Sequence, residues 1–316
     1  INVNSLKRGL CHKCQTFWEP VSSVLVRNIL YRLTNGVKPI KIVTQMIIRD
    51  KEPTVRILSL GAGVQSSTMA LMADQGAFGV KPDAAVFADT GWEPSTVIDH
   101  LNYLKTKLSY PVYICKKGDL DKDILKALSP GGNQFASAPF YTLNDKGKKG
   151  MGRRQCTREY KITPIAKKIR EIMGYKPRQK MKKNQWVEVW IGISMDEVVR
   201  MKPSRFWWQE NRWPLLEKKM TRDHCLQWYE GKGFNVPVKS ACIGCPFHDD
   251  NFWIDMRDNR PNEFKEAIFF DKEMRKYNPK VKNFVHRSCV PLDEVKFKND
   301  GQADLFNQEC EGMCGL

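Results

Sequence analysis

Residues 59–67 read SLGAGVQSS, and they directly follow the short apolar stretch 55–58. Small residues and hydroxyls between a strand-like segment and the apolar helix pattern of 68–74, TMALMAD, have the composition of a phosphate cradle. Gly61 and Gly63 would let backbone N–H groups approach an anion, and a helix N-terminus adds its positive end. The same kind of turn also serves as a plain strand-to-helix connection. Its meaning depends on the segments downstream of it.

Those segments alternate. The run 84–88, bounded by Pro82 and Asp89, fits a buried strand, and 95–108 carries Val97, Leu101, Leu104 and Leu108 at helical spacing. A third short strand is predicted at 111–115 and a long Gly- and Lys-bearing loop at 131–152. The pattern then predicts a helix over 162–173, with Pro164 near its start, where a missing N–H does no harm. A strongly apolar strand is predicted at 186–193. The fold class expected is α/β, a Rossmann-like parallel sheet with helices on both faces. Ligands of such sheets bind beyond the carboxyl ends of the strands, where Ser59, Asp89 and Ser194 fall. From Trp213 onward aromatics, prolines and cysteines become dense, and 307–316 is rich in Cys and Gly. The organisation expected is therefore an N-terminal extension at 1–53, a nucleotide-binding α/β domain at 54–212, and a small irregular Cys-rich C-terminal region with the tail at 213–316. Met46 is a plausible start, which would make 1–45 an extension; its CxxC pair, Cys11 and Cys14, has no further ligand nearby.

The composition narrows the classes. A chain of 316 residues with 41% hydrophobic and 28% charged residues suits a globular protein with a sizeable core. No apolar run approaches the ~18 residues of a membrane span, and no leader pattern opens the sequence. Ten cysteines in that context point to a reducing, cytoplasmic setting, where thiols serve metal or redox chemistry. The formal charge of +17 is concentrated: residues 144–183 hold fifteen Lys or Arg against three acids. Such a stretch is either a solvated basic loop and helix or an electrostatic funnel for a polyanion, a nucleotide or a nucleic acid. Arg153, Arg154, Arg158 and Lys161 crowd Cys156 and favour the anion-facing role.

The strongest local motif is Cys242-Ile-Gly244-Cys245-Pro246. Two cysteines separated by two residues can share one metal or cluster, form a redox pair, or supply half a zinc site. Cys156 and Cys289 are the further thiols in reach of such a set, and four thiolates would suit a [4Fe–4S] cluster or zinc.

In combination these segments resemble the phosphoadenosine phosphosulfate (PAPS) reductase family, within the adenine-nucleotide α-hydrolase-like (PP-loop) superfamily. The resemblance runs from about Arg56 to Leu316. Ser59-Leu-Gly-Ala62 is similar to the family's Ser-Phe-Gly-Ala phosphate loop, and Asp89-Thr90-Gly91-Trp92 to its Asp-Thr-Gly-aromatic segment beside the nucleoside. Cys156 followed by Lys161 and Pro164 resembles its cysteine-then-Lys-x-x-Pro stretch; Gly192, Ser194 and Arg200 resemble the strand end and arginine that handle the substrate's anionic end. Trp213-Pro-Leu, the Cys242/Cys245 pair and Glu309-Cys310 complete the order. The resemblance implies an adenine nucleotide (PAPS, adenylyl sulfate or ATP) held by Ser59, Gly61, Ala62, Gly63, Gln65, Ser66, Asp89, Thr90, Gly91, Gly192 and Ser194. It implies Arg200 and Lys161 as catalytic cations and Cys310, with Cys314 as a spare thiol, as the catalytic tail. Cys156, Cys242, Cys245 and Cys289 become the metal or cluster ligands, with Cys289 replacing a thiol that cluster-bearing members carry where this chain has Gln155.

Two reactions are consistent with that pattern. In the first, a sulfonucleotide is reduced to sulfite through the tail cysteine, with a dithiol such as thioredoxin as partner. In the second, an ATP-dependent sulfurtransferase thiolates tRNA or DNA, with the 144–183 stretch holding the nucleic acid and Asp196 and Glu197 holding Mg²⁺ on the triphosphate. Val64-Gln65 stands where ATP-using relatives carry an aspartate, which favours the first. A non-enzymatic nucleotide sensor is a third class, one that leaves the thiols without a role.

Overall fold

The computed structural model describes residues 52–131, 137–277 and 280–298, which lie, Glu52 apart, in the unit Pro53–Leu316. β1 (Val55–Leu60) turns through 61–63 into α1 (Val64–Asp74); β2 (Ala84–Asp89) precedes α2 (Ser95–Lys107), and β3 (Val112–Lys116) precedes α3 (Leu120–Leu128). β4 (Tyr141–Asn144) and β5 (Lys149–Met151) make a hairpin, after which a π-helical turn, Thr157–Ile162, runs straight into α4 (Thr163–Ile172). β6 (Val187–Ile191) leads to a 3-10 turn, Met195–Arg200, then to β7 (Gln209–Arg212) and the short helices α5 (Pro214–Glu217) and α6 (Arg222–Gln227). Two longer helices, α7 (Asp250–Asn259) and α8 (Pro261–Met274), and the strand β8 (Val281–Phe284) come after them.

The main sheet is five-stranded and parallel, in the order β3–β2–β1–β6–β7. Its alternation sorts side chains cleanly between two cores. Leu58, Leu60, Ala85, Phe87 and Trp190 pack on one face with α1 and α2. Ile57, Val86, Val187, Val189 and Ile191 pack on the other against Ile165 and Ile169 of α4. Both faces are covered, as a parallel sheet requires. A third core joins α3, the hairpin segment, α7 and α8 through Trp92, Leu120, Phe140, Tyr160, Trp253 and Phe270. It draws on residues from both sides of position 213.

The α/β expectation holds, and four local readings change. α1 begins at Val64, so the cradle is a three-residue turn and Gln65, Ser66 and Ser67 belong to the first helical turn. Those polar residues look like loop in the sequence, but each is fully buried: Gln65 and Ser67 find partners across the fold in Ser194 and His100, and Ser66 finds one within the turn in Gly61. The predicted loop at 131–152 contains the β4–β5 hairpin, because β4 pairs with β8, some 140 residues further along, in a second antiparallel sheet. The polar segment Gln209–Arg212 is a strand that extends the main sheet beyond β6, a placement set by pairing and not by its composition. Beyond Trp213 the chain is more regular than its texture predicts, with α7 capped by the Asp249 carboxylate on the Phe252 N–H and α8 opened by Pro261. Among the described residues no helix is long and apolar enough to cross a membrane.

Candidate active site

The turn after β1 is held in one shape by its own atoms. Ala62 adopts a left-handed φ of 56°, uncommon for a residue with a Cβ. The Ser66 hydroxyl accepts the Gly61 N–H at 3.2 Å and donates to the Gly63 carbonyl at 3.4 Å. Ser240, from the segment before the cysteine pair, donates its hydroxyl to the Gly61 carbonyl. Gly63 is the N-cap of α1 and supplies no side chain, so the first helical N–H groups receive no side-chain cap; such groups are the usual anion-binding donors. On the far side of the turn Gln65 donates to the Ser194 hydroxyl at 3.4 Å and to the Glu197 carboxylate at 3.3 Å, while its own Oε1, fully buried, has no hydrogen-bond partner. Arg200 is ion-paired with Glu197, and burial raises the Glu197 pKa above the usual carboxylate range against the opposing pull of Arg200. Asp196 accepts the Arg222 N–H at 3.0 Å. Both carboxylates that the sequence offers to Mg²⁺ are thus engaged by protein groups.

Beyond β2 the chain makes a second turn. Asp89 accepts the Gly91 N–H at 2.7 Å, and Gly91 has φ 72°. A Cβ there would stand 2.3 Å from the Asp119 carboxylate, so only glycine fits. This turn delivers Thr90 and Trp92 to a cavity also lined by Cys156, Cys242, Cys245, Arg154, Lys161 and Phe247, and Glu93, next in the chain, faces the lining residue Lys161. The cavity is narrow: about 30 Å³ is open to a water-sized occupant, room for about two waters.

Its walls are charged and paired. Glu93 Oε1 accepts the Thr90 hydroxyl at 2.9 Å, faces Lys161 Nζ at 3.7 Å, and lies 3.8 Å from Cys242 Sγ. Thr90 Oγ1 is also 3.2 Å from that sulfur. The second oxygen, Glu93 Oε2, is buried without a hydrogen-bond partner. Lys161 sits in the π-helical turn whose N-cap is Cys156, so one extra backbone residue per turn aims both at the cavity. Arg154 stands over the Phe247 ring at 5.2 Å and donates to Thr157. Cations beside thiols favour the thiolate, and a carboxylate within reach of a thiol can take its proton.

The cysteine pair is set by its turn. The Ile243 N–H donates to the Trp92 carbonyl at 2.9 Å, and Cys245 N–H closes on the Cys242 carbonyl at 3.0 Å. Gly244 lies flat on Trp92, where a Cβ would come within 2.1 Å of the indole. Beneath, His248 Nε2 faces the Cys242 and Ile243 carbonyls at 2.8 and 3.1 Å while its ring stacks on Phe252 at 3.7 Å. Burial drives its pKa well below the ordinary histidine value, so it serves as a neutral donor.

The structure thus brings together Cys156, Cys242, Cys245, Lys161 and Thr90, and separately Gly61, Gln65, Ser66, Ser194 and Arg200. Ser59 is the fifth residue of β1, Asp89 the last of β2, and Gly192 comes directly after β6, all at the carboxyl edge. Cys289 is not among the residues lining the cavity. Its Sγ lies 3.9 Å from the Thr142 carbonyl on β4, and burial raises its pKa. Cys310 and Cys314 lie outside the described residues. The thiol-rich donor set has the chemistry for a cluster or zinc, and among the described residues no three His, Cys, Asp or Glu side chains are grouped to hold a metal ion. Sequence reasoning missed Glu93 and His248. Glu93 sits immediately after the Asp-Thr-Gly-Trp segment, and that adjacency was the available signal.

No family model matches the chain, and no curated protein matches it. Among solved structures, the phosphate complex of phosphoadenylyl-sulfate (PAPS) reductase from Candida auris aligns over 66% of this chain and 87% of its own, at 12% identity and a TM-score of 0.38. A likeness at that TM-score says nothing about substrate.

Proposed function

We propose that this protein is an adenine-nucleotide-binding enzyme that reduces a sulfonucleotide, adenylyl sulfate or PAPS, to sulfite. The observation that carries the reading is the convergence of three thiols with Arg154 and Lys161 in one cavity at the carboxyl edge, next to a strand–turn–helix cradle that Ser240 ties to the same segment as Cys242. The nucleotide's phosphates would lie on the Gly61–Ala62–Gly63 turn and the start of α1, with its sulfate toward the cavity.

The reaction needs two thiols in succession. A thiolate, Cys310 by its place in the sequence, attacks the sulfate sulfur; the sulfur–oxygen bond to the nucleotide breaks, and the nucleotide leaves with that electron pair. A second thiol then attacks the enzyme's own sulfur in the thiosulfonate. Sulfite departs with the bonding pair and a disulfide remains, so two thiols have been oxidised and one sulfate sulfur reduced by two electrons. A dithiol such as thioredoxin restores the pair. Arg154 and Lys161 offset the charge of an anion attacking a polyanion. Cys242, with Glu93 placed to take its proton, is the second thiol the geometry favours.

The test is anaerobic turnover. Protein purified without oxygen is incubated with adenylyl sulfate or PAPS and reduced thioredoxin, and sulfite is measured beside nucleotide affinity by calorimetry. Sulfite release that disappears in Cys310→Ser, with affinity retained, supports the reading. Absence of sulfite together with cleavage of ATP in the presence of tRNA or DNA would replace it with the sulfurtransferase reaction.

A further inference from the structure

At the opposite edge of the main sheet lies a second, differently built site. The groove is open, about 690 Å³ in volume, and is lined by Arg170, Arg178, Lys180, Lys183, Trp207 and Trp208. Its position is set by the topology. The β6 residue Val187 opens its strand by donating its N–H to the Trp208 carbonyl at 2.9 Å, and Arg170 lies in the last turn of α4, whose start adjoins Lys161. Nine residues of rise, about 13 Å along the helical path, therefore separate Arg170 of the groove from Lys161 of the cavity.

Two adjacent indoles divide the work of the site. Trp208 is buried with Phe206 stacked against it at 5.2 Å, anchoring the segment in the core beneath α4. Trp207 is 53% exposed, an unusual position for so large an apolar ring. Among the described residues no carboxylate lines the groove. Arg170 is fixed by stacking over Tyr175 at 5.5 Å and by donating to the Gln179 carbonyl, which holds the basic segment 178–183 in place.

We propose that this groove binds single-stranded nucleic acid, with Trp207 stacking on an unpaired base and Lys180, Lys183 and Arg178 tracking the phosphates. Stacking on an exposed ring within a basic groove is the general mode of single-strand binding. A paired duplex presents base faces only at its ends, and the acidic side chains of a peptide carry no ring to stack on the indole. The proposal does not rest on the reduction reaction, since the groove and the cavity occupy opposite edges of the sheet.

The experiment uses the full chain and fluorescein-labelled oligothymidylate and oligouridylate of about twelve nucleotides, within the ~4–16 nucleotides typical of one such site. Anisotropy is recorded across a salt series, with a duplex of equal length and heparin as competitors. Binding is expected to quench tryptophan fluorescence and to fall steeply with salt. Trp207→Ala should weaken it roughly ten-fold, with Trp207→Phe restoring most of the loss. Lys180→Gln with Lys183→Gln should lower the salt slope by about 1.4, at ~0.7 per phosphate contact. Nucleotide affinity at the cradle should be unchanged in all of these variants, which separates failure here from failure of the reductase reading. No binding at low salt overturns the proposal. So does binding that ignores Trp207→Ala, or that duplex and heparin compete for equally well, because either result marks a plain polyanion surface.

Discussion

The two edges of the sheet handle positive charge in opposite ways. At the carboxyl edge Lys161 is 5% exposed, faces Glu93, and lines a cavity with about 30 Å³ of free space. At the amino edge four cations and an exposed indole line a groove more than twenty times larger. A buried, matched charge is costly to disturb and holds geometry; an exposed cluster costs the fold little and is available to a diffusing polyanion. In the two readings proposed above, the first edge serves chemistry on a small substrate and the second serves grip on a long one.

That contrast can be broken in stages. The largest effect is expected at Lys161. Lys161→Met alone leaves the Glu93 carboxylate buried without its cation and should cost about 3–5 kcal/mol of stability. Adding Glu93→Gln should return a good part of it, a coupling read directly by urea denaturation of the two single variants and the double. Additive losses would mean that the two side chains do not form a unit.

Next comes Gly244→Ala. The new methyl meets the Trp92 indole at 2.1 Å, so the turn bearing Cys242 and Cys245 must shift, at about 1–3 kcal/mol. Thiol labelling of those two cysteines should accelerate with it. An unshifted melting midpoint and labelling rate would show that the turn is looser than its packing.

A titration tests the interior as a whole. Burial lowers the His100 pKa from 6.5 to about 4, and moves His248 and His286 in the same direction. The fold therefore favours their neutral forms, and the unfolded chain takes up protons first as pH falls. Stability should be fully present above about pH 6.5 and decline toward pH 4, with His100 alone contributing about 2 kcal/mol of loss by pH 5. Denaturation curves flat between pH 7 and 5 would contradict this. The smallest effect belongs to the groove: Lys180→Gln with Lys183→Gln should change stability by less than about 0.5 kcal/mol, well short of either carboxyl-edge variant. A loss in urea denaturation as large as that of Gly244→Ala would erase the contrast between the edges.

Much of the fold was legible because it is written in local periods. The runs at 55–58, 84–88 and 186–193 announce strands buried on both faces, and Val97, Leu101 and Leu104 lie on one side of α2 as their spacing requires. The hairpin at 141–151 was not legible, since its strands are short, polar and half exposed and gain their ladder only when β8 arrives. Of the site, the glycine turn and the cysteine pair could be read; the pairing of Glu93 with Lys161 could not, because nothing in either neighbourhood names the other.

The sequence alone determined the parallel α/β architecture, the glycine turn that follows β1, and the concentration of cations in 144–183. These arise from short-range constraints: period, backbone freedom and composition. Only the tertiary structure decided which of those cations are enclosed and which remain open. It carried Lys161 inward through a π-helical turn to meet Glu93 and Cys242, and left Arg178, Lys180 and Lys183 outside around Trp207. Partners so far apart in the chain are chosen by the packing of the sheet, and burial then fixes the energy of each charge.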